Sequence, residues 1–145
     1  MADQDNIELL NRLLARLGRG LVQYAVDCWP WTNGADDAEL RALEQIAKKQ
    51  QQFVARLVEL ISQRGGVPDF GVFADYSDLN YVSLDYLLGK LIADEQSLIA
   101  EVETAQAALR GDAEAAALAG ELSSAEKEHL ARLRDMAKTS TPAVK

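Results

Sequence analysis

The sequence predicts an all-α four-helix bundle, two antiparallel helix hairpins joined by a long crossover. Three observations carry this. Leu, Ala, Glu, Gln, Arg and Lys dominate a chain of 145 residues with only 3 prolines, a helix-former composition. Four segments place apolar residues at alternating steps of three and four, the period of a buried helix face. Within each half the two segments are joined by a short connection, whereas roughly residues 65–82 separate the second segment from the third.

The first helix is expected over about residues 5–29. Its seam is Ile7, Leu10, Leu14, Leu17, Leu21, Tyr24 and Cys28, and Pro30 with Asn33–Gly34 stops it. Gly18 and Gly20 inside it cost about 1 kcal/mol each against alanine. They suggest a close approach by another helix, within the bundle or across a dimer. The second helix, 36–64, opens on Asp36-Asp-Ala-Glu39, a capping-box pattern. Its seam is Leu40, Leu43, Ala47, Gln50, Val54, Leu57 and Ile61, closed by Gly65–Gly66 and Pro68. The crossover carries Phe70, Phe73, Tyr76 and Tyr81, enough apolar surface to pack along a bundle. The third helix, 83–110, has the seam Leu84, Leu88, Leu91, Glu95, Leu98, Val102, Ala105 and Leu109 before Gly111. The fourth, 112–137, has Leu118, Leu122, Ala125, His129, Leu133 and Met136, and a frayed tail follows over 138–145. One domain accounts for residues 1–145.

Charge and composition exclude several classes. A net charge of −8 argues against nucleic acid or an anionic membrane as the main partner, since both reward a basic face. A single cysteine, Cys28, excludes an internal disulfide and a Cys-rich zinc site. It reads as a buried hydrophobe. Trp29-Pro30-Trp31 reads as a helix stop whose aromatics cover the bundle end. No apolar run reaches the length of a membrane span, and MADQDNIELL lacks the basic and apolar regions of a signal peptide. A soluble cytoplasmic protein, assembled as a homodimer, is expected.

Chemistry enters where the seams turn polar. Gln50, Glu95 and His129 occupy seam positions near the middles of their helices, and Glu126 shares a face with His129. A carboxylate in a closed core is costly unless paired, protonated or bound to a metal. Two carboxylates and one imidazole suit Fe, Mn or Zn. Ser123-x-x-Glu126 also matches a capping box, which would start a helix at Ser123. The strongly helix-forming run Ala113–Ala119 favours Glu126 in mid helix instead.

Further stretches form a pattern: Asn11-Arg-Leu-Leu14 and Val22-Gln-Tyr24 in the first helix, Gly66-Val-Pro68 after the second, Asp94-Glu95-Gln96 in the third, Glu126-Lys-Glu-His129 in the fourth. With these the chain resembles the ferritin-like superfamily, nearest in layout to bacterioferritin-type bundles, over about Ile7 to Met136. The di-iron site of that family takes one Glu from each of two helices and a Glu-x-x-His from each of the other two. The resemblance makes Glu95 the third-helix ligand and Glu126 with His129 the fourth-helix pair. Leu17 stands in place of the first-helix Glu, and Gln50 and Phe53 in place of the second-helix pair. It implies one metal subsite kept and one erased. A single Fe, Mn or Zn ion on Glu95, Glu126 and His129 is expected, with Gln50 and Tyr24 supporting it and water or a small molecule completing the shell. No intact di-iron centre, ferroxidase reaction or iron storage is expected, and whether the chain is an enzyme stays open. The alternative is a metal-free polar cluster of Tyr24, Gln50, Glu95, Glu126 and His129 in a bundle that serves as a structural or interaction module.

Overall fold

The computed structural model describes residues 2–27, 37–76, 84–109 and 111–140. All regular structure among them is helical: α1 (Ala2–Gly18), α2 (Leu21–Asp27), α3 (Asp37–Gln63), α4 (Leu84–Ala108) and α5 (Ala113–Ser140). The most extensive packing is between α4 and α5, followed by α1 and α2 against α3, and α1 against α4. None of these helices is long and apolar enough to cross a membrane.

The core falls into two apolar clusters at opposite ends of the bundle. One gathers Ile7 and Leu10 of α1, Leu57 and Ile61 of α3, Val102 of α4 and Leu118 of α5. The other gathers Leu21 of α2, Leu43 and Ile46 of α3, Leu88 of α4 and Leu133 of α5. In chain order, then, α1, α2 and α5 run one way along the bundle, and α3 and α4 run the other. Each Leu or Ile buried this fully contributes about 1.5–3 kcal/mol. Their sum holds the four helices together, and the interval between the clusters is where polar side chains meet.

The first expected helix is two helices, and this corrects its seam. The α-helical ladder ends with Arg19 N donating to Ala15 O at 2.9 Å and resumes with Tyr24 N donating to Gly20 O at 3.2 Å. At Gly20 a Cβ would sit 2.8 Å from Arg16 O, so the bend is built around a residue without one. Leu21 N, freed at the start of α2, donates to Asp94 Oδ2 at 3.4 Å. Past the bend the buried face carries Leu21, Val22, Gln23 and Ala25, while Tyr24 is only half-buried. Gly18 faces α3 inside the bundle with room for a methyl group. A Cβ there would lie 3.7 Å from Val54 Cγ2 and 4.0 Å from Phe70.

The segment after α3 returns along α1. Asn11 Nδ2 donates to Val67 O at 3.1 Å, and Asn11 Oδ1 accepts from Asp69 N at 2.8 Å. Phe70 and Phe73 lie beneath the Arg19 guanidinium, 5.6 and 5.4 Å from ring centre to cation. Phe73 and Tyr76 then pack on the Tyr24 ring, with centroids 5.8 and 5.2 Å away. Arg64, just past α3, forks onto Asp112 with bonds of 2.7 and 2.8 Å, while Asp112 Oδ1 accepts from Ala115 N at 3.1 Å. The Arg64 hydrogen bond is the main force holding the Asp112 carboxyl below its usual range, and the backbone amides assist. Asp112 is thus the N-cap of α5. That start places Glu126 and His129 in mid helix and removes the alternative start at Ser123. At its other end α5 continues to Ser140, past the expected end at residue 137. Cys28, Trp29, Pro30, Trp31, Asp36, Tyr81 and the tail from residue 141 lie outside the described residues.

Gly71 tests how firmly the returning segment is fitted to α1. Its φ of +68° is strained for any other residue, and a Cβ there would lie 3.0 Å from Ala15 Cβ. Gly71→Ala is expected to destabilise the fold by about 1–3 kcal/mol in denaturant unfolding. An unchanged midpoint would mean that this segment does not press on α1.

Candidate metal centre

Between the two apolar clusters lies a layer of polar side chains. On each helix it falls between the last residue of one cluster and the first of the other: Leu17 and Leu21 bracket the bend, Ala47 and Phe53 bracket Gln50, Leu91 and Leu98 bracket Glu95, and Leu122 and Leu133 bracket Glu126 and His129. These side chains are withdrawn from water. Relative exposure is 1% at Gln50, 1% at Glu95, 0% at Glu126 and 9% at His129. Leu17 is buried at the position where the resemblance would have a carboxylate, and Phe53 is buried beside it in the same apolar cluster.

The layer is wired from α2 to α5 by amides, and the wiring has one consistent sense. Gln23 Nε2 lies 3.0 Å from Ala47 O, a backbone carbonyl that can only accept, so nitrogen must face it. The same Nε2 lies 3.1 Å from Gln50, whose facing atom must therefore be the acceptor Oε1. That turns Gln50 Nε2 toward Glu126 Oε1, to which it donates at 2.8 Å. Gln51 Nε2 closes the chain by donating to Gln23 Oε1 at 2.8 Å. The ring of Tyr24, expected to support the site, packs against Phe73 and Tyr76. Gln23, one residue earlier, takes that place. The signal for this in the sequence was the pair Gly18 and Gly20, which marks the bend that shifts the buried face.

The remaining donor atoms converge without being satisfied. Both Glu95 oxygens, Glu126 Oε2 and His129 Nδ1 are buried and have no hydrogen-bond partner. His129 Nδ1 lies 3.2 Å from Glu126 Oε1, within ion-pair distance but not aligned as a hydrogen bond. One ligand atom from each of Glu95, Glu126 and His129 can be chosen so that all lie within 4.8 Å of one another. Two donors on opposite sides of one ion, each about 2.0–2.2 Å from it, are about 4.4 Å apart at most. The separations in this layer reach up to 4.8 Å, so the three side chains would have to draw together to meet on one ion. Native interiors rarely leave buried polar atoms unpaired, and a group of them aimed at one point fits a cation.

Without a cation, one of the two carboxyls keeps a proton. Burial, followed by contact with Glu126, pushes the Glu95 carboxyl far above its usual range. Burial pushes Glu126 upward too, but His129, Glu95 and the Gln50 amide outweigh it, and the carboxyl titrates below its usual range. Glu95 is thus the protonated partner and Glu126 the charged one. Outside the layer, Asp94 is clamped by Arg16, with Nη2 3.0 Å from Oδ1 and 3.1 Å from the Asp94 carbonyl. Arg16 also reaches Glu101 Oε2 at 2.9 Å. This clamp covers a crevice at the helix bend that is lined by Gly20, Leu21, Gln50 and Glu95 and is too narrow to hold a water molecule.

No family model matches the chain, and comparisons with curated proteins and with solved structures find no match.

The raised Glu95 pKa fixes the sign of a pH effect. Between the ordinary glutamate range and the raised folded value, the unfolded chain has lost a proton that the folded chain keeps. Stability of chelator-treated protein should therefore fall as pH rises from about 5 to 9. Glu95→Gln, which mimics the protonated form, should flatten this dependence and stabilise the metal-free protein at pH 8 by about 1–3 kcal/mol. Urea unfolding at several pH values measures it. A wild type whose stability rises over that range would refute the assignment of the proton to Glu95.

Proposed function

We propose that this chain is a ferritin-like bundle with a half-retained di-iron site, holding a single Fe, Mn or Zn ion on Glu95, Glu126 and His129. One observation carries the reading: buried, unpartnered donor atoms of these three residues face one another between two apolar clusters. The up-down-down-up course of the helices, with a long segment returning along α1, supports the ferritin-like part. Glu-x-x-His on α5 supplies two ligands from one helix face, and Glu95 supplies the third from α4. The erased half of the site would lie toward Leu17, Gln50 and Phe53, where the available groups are two hydrocarbons and a neutral amide.

A bound ion would supply a Lewis-acidic or one-electron centre in a dry bundle. The chain's own residues would hold the ligand set: Gln50 fixes the Glu126 carboxylate, and the apolar clusters on either side exclude water. Binding would release the proton that Glu95 keeps in the metal-free protein, so affinity should rise with pH. A second reading, a metal-free module of structural or interaction function, is favoured by the proton that Glu95 keeps, since it reduces the buried charge to one carboxylate without a cation. A homodimer is the proposed assembly.

Metal analysis of protein purified without chelator separates the two. The single-ion reading expects about one Fe, Mn or Zn per chain, tighter binding at pH 8 than at pH 6, and a more than tenfold loss of affinity in His129→Ala and Glu126→Gln. Trace metal only, with no binding on titration, would sink it and leave the metal-free module.

A further inference from the structure

We propose that Gln50, held in place by Gln23, sets this layer for a divalent ion and against a trivalent one. The inference rests on the single-ion reading above and adds which charge state the site keeps. With an ion bound, Glu95 and Glu126 carry one negative charge each, and His129 and Gln50 carry none. A divalent cation makes the layer neutral. A trivalent cation leaves one positive charge in surroundings where Glu95 and Glu126 are at most 1% exposed and the crevice beside them has no room for a water that could offset it by losing a proton. An uncompensated charge in such a place is strongly disfavoured.

The neighbouring charges do not remedy this. Asp94, next to Glu95 in sequence, is tied to Arg16 at 3.0 Å. Lys127, next to Glu126, is tied to Glu103 at 2.7 Å. The Lys127–Glu103 pair is neutral, and Arg16 also holds Glu101 at 2.9 Å, whose half-exposed charge is screened by water. Gln50 is different, because it touches a ligand directly. Its amide presents an N–H to Glu126 Oε1 at 2.8 Å, and the Gln23 bond at 3.1 Å prevents the oxygen from turning there instead. That contact positions the Glu126 carboxylate while contributing no charge. A carboxylate at position 50 would be almost isosteric and would add the missing negative charge. Gln50 is therefore the specificity-determining residue of the layer, and Gln23 its positioning residue.

The test uses wild-type protein loaded with Fe(II) under anaerobic conditions. Ferricyanide then takes one electron from each Fe(II), giving Fe(III) and ferrocyanide. The protein is desalted and its iron counted. About one iron per chain should be retained before oxidation, and less than about a tenth of that afterwards, because Fe(III) is expelled. Gln50→Glu should retain at least about five times more iron than wild type after oxidation. Gln50→Met, which keeps the charge but loses the hydrogen bond to Glu126, should bind Fe(II) more weakly and gain no retention of Fe(III). Wild type that keeps its iron through oxidation would overturn this inference while leaving the single-ion reading standing. So would a folded Gln50→Glu that loses iron as readily as wild type. Wild type that takes up no Fe(II), Mn(II) or Zn(II) in the first step would remove the single-ion reading, and this inference with it.

Discussion

Two carboxylates and an imidazole share a dry layer at the waist of this bundle, and the rest of the architecture is arranged around the cost of placing them there. Burying a lone carboxylate is expensive, and burying two within reach of each other is more so. Without metal, Glu95 keeps a proton and Glu126 keeps the charge. Even so, several lone pairs remain unsatisfied. Apolar residues in these seam positions would have given a simpler and more stable core. On the reading proposed above, the residual frustration is the binding energy kept for a cation.

The surrounding structure restricts how the layer can relax. Asp112 and Arg64 fix where α5 begins, and so which turn of α5 carries Glu126 and His129. Arg16 clamps Asp94 and locks the turn of α4 that carries Glu95. The bend at Gly20 turns Gln23 inward, and Gln23 orients Gln50, which orients Glu126. Side chains of α2 and α3 therefore determine the position of the Glu126 carboxylate. The same bend sets the Tyr24 ring against the aromatic segment that returns along α1. One backbone irregularity thus serves both the polar layer and the packing of the longest connection.

Much of this was legible in the sequence, for a physical reason. Helical periodicity is strict within an unbroken helix, so Glu95 and His129 stand out as polar residues at seam steps in α4 and α5, and Glu126 follows at a spacing of three. The seam of α3 likewise exposed Gln50. Periodicity fails where the helix does. The bend at Arg19–Gly20 shifts the buried face, so counting onward from Leu17 selected Tyr24 over Gln23. The two glycines signalled an irregularity but were read as a close approach; at Gly18 a Cβ would meet ordinary contact distances, and Gly20 serves the bend. The amide chain from Gln51 to Glu126 and the Arg16–Asp94 clamp join positions 27 to 78 residues apart. Such contacts leave no mark on local spacing.

The central claim is that the polar layer binds one ion, on three specified side chains. An anomalous-scattering map from crystals grown with Mn(II) or Zn(II) tests it most directly. The account predicts a single peak between α4 and α5, about 2.0–2.2 Å from an oxygen of Glu95, an oxygen of Glu126 and a nitrogen of His129. A map with no peak in the layer, or with a second peak toward Leu17 and Gln50, would contradict it.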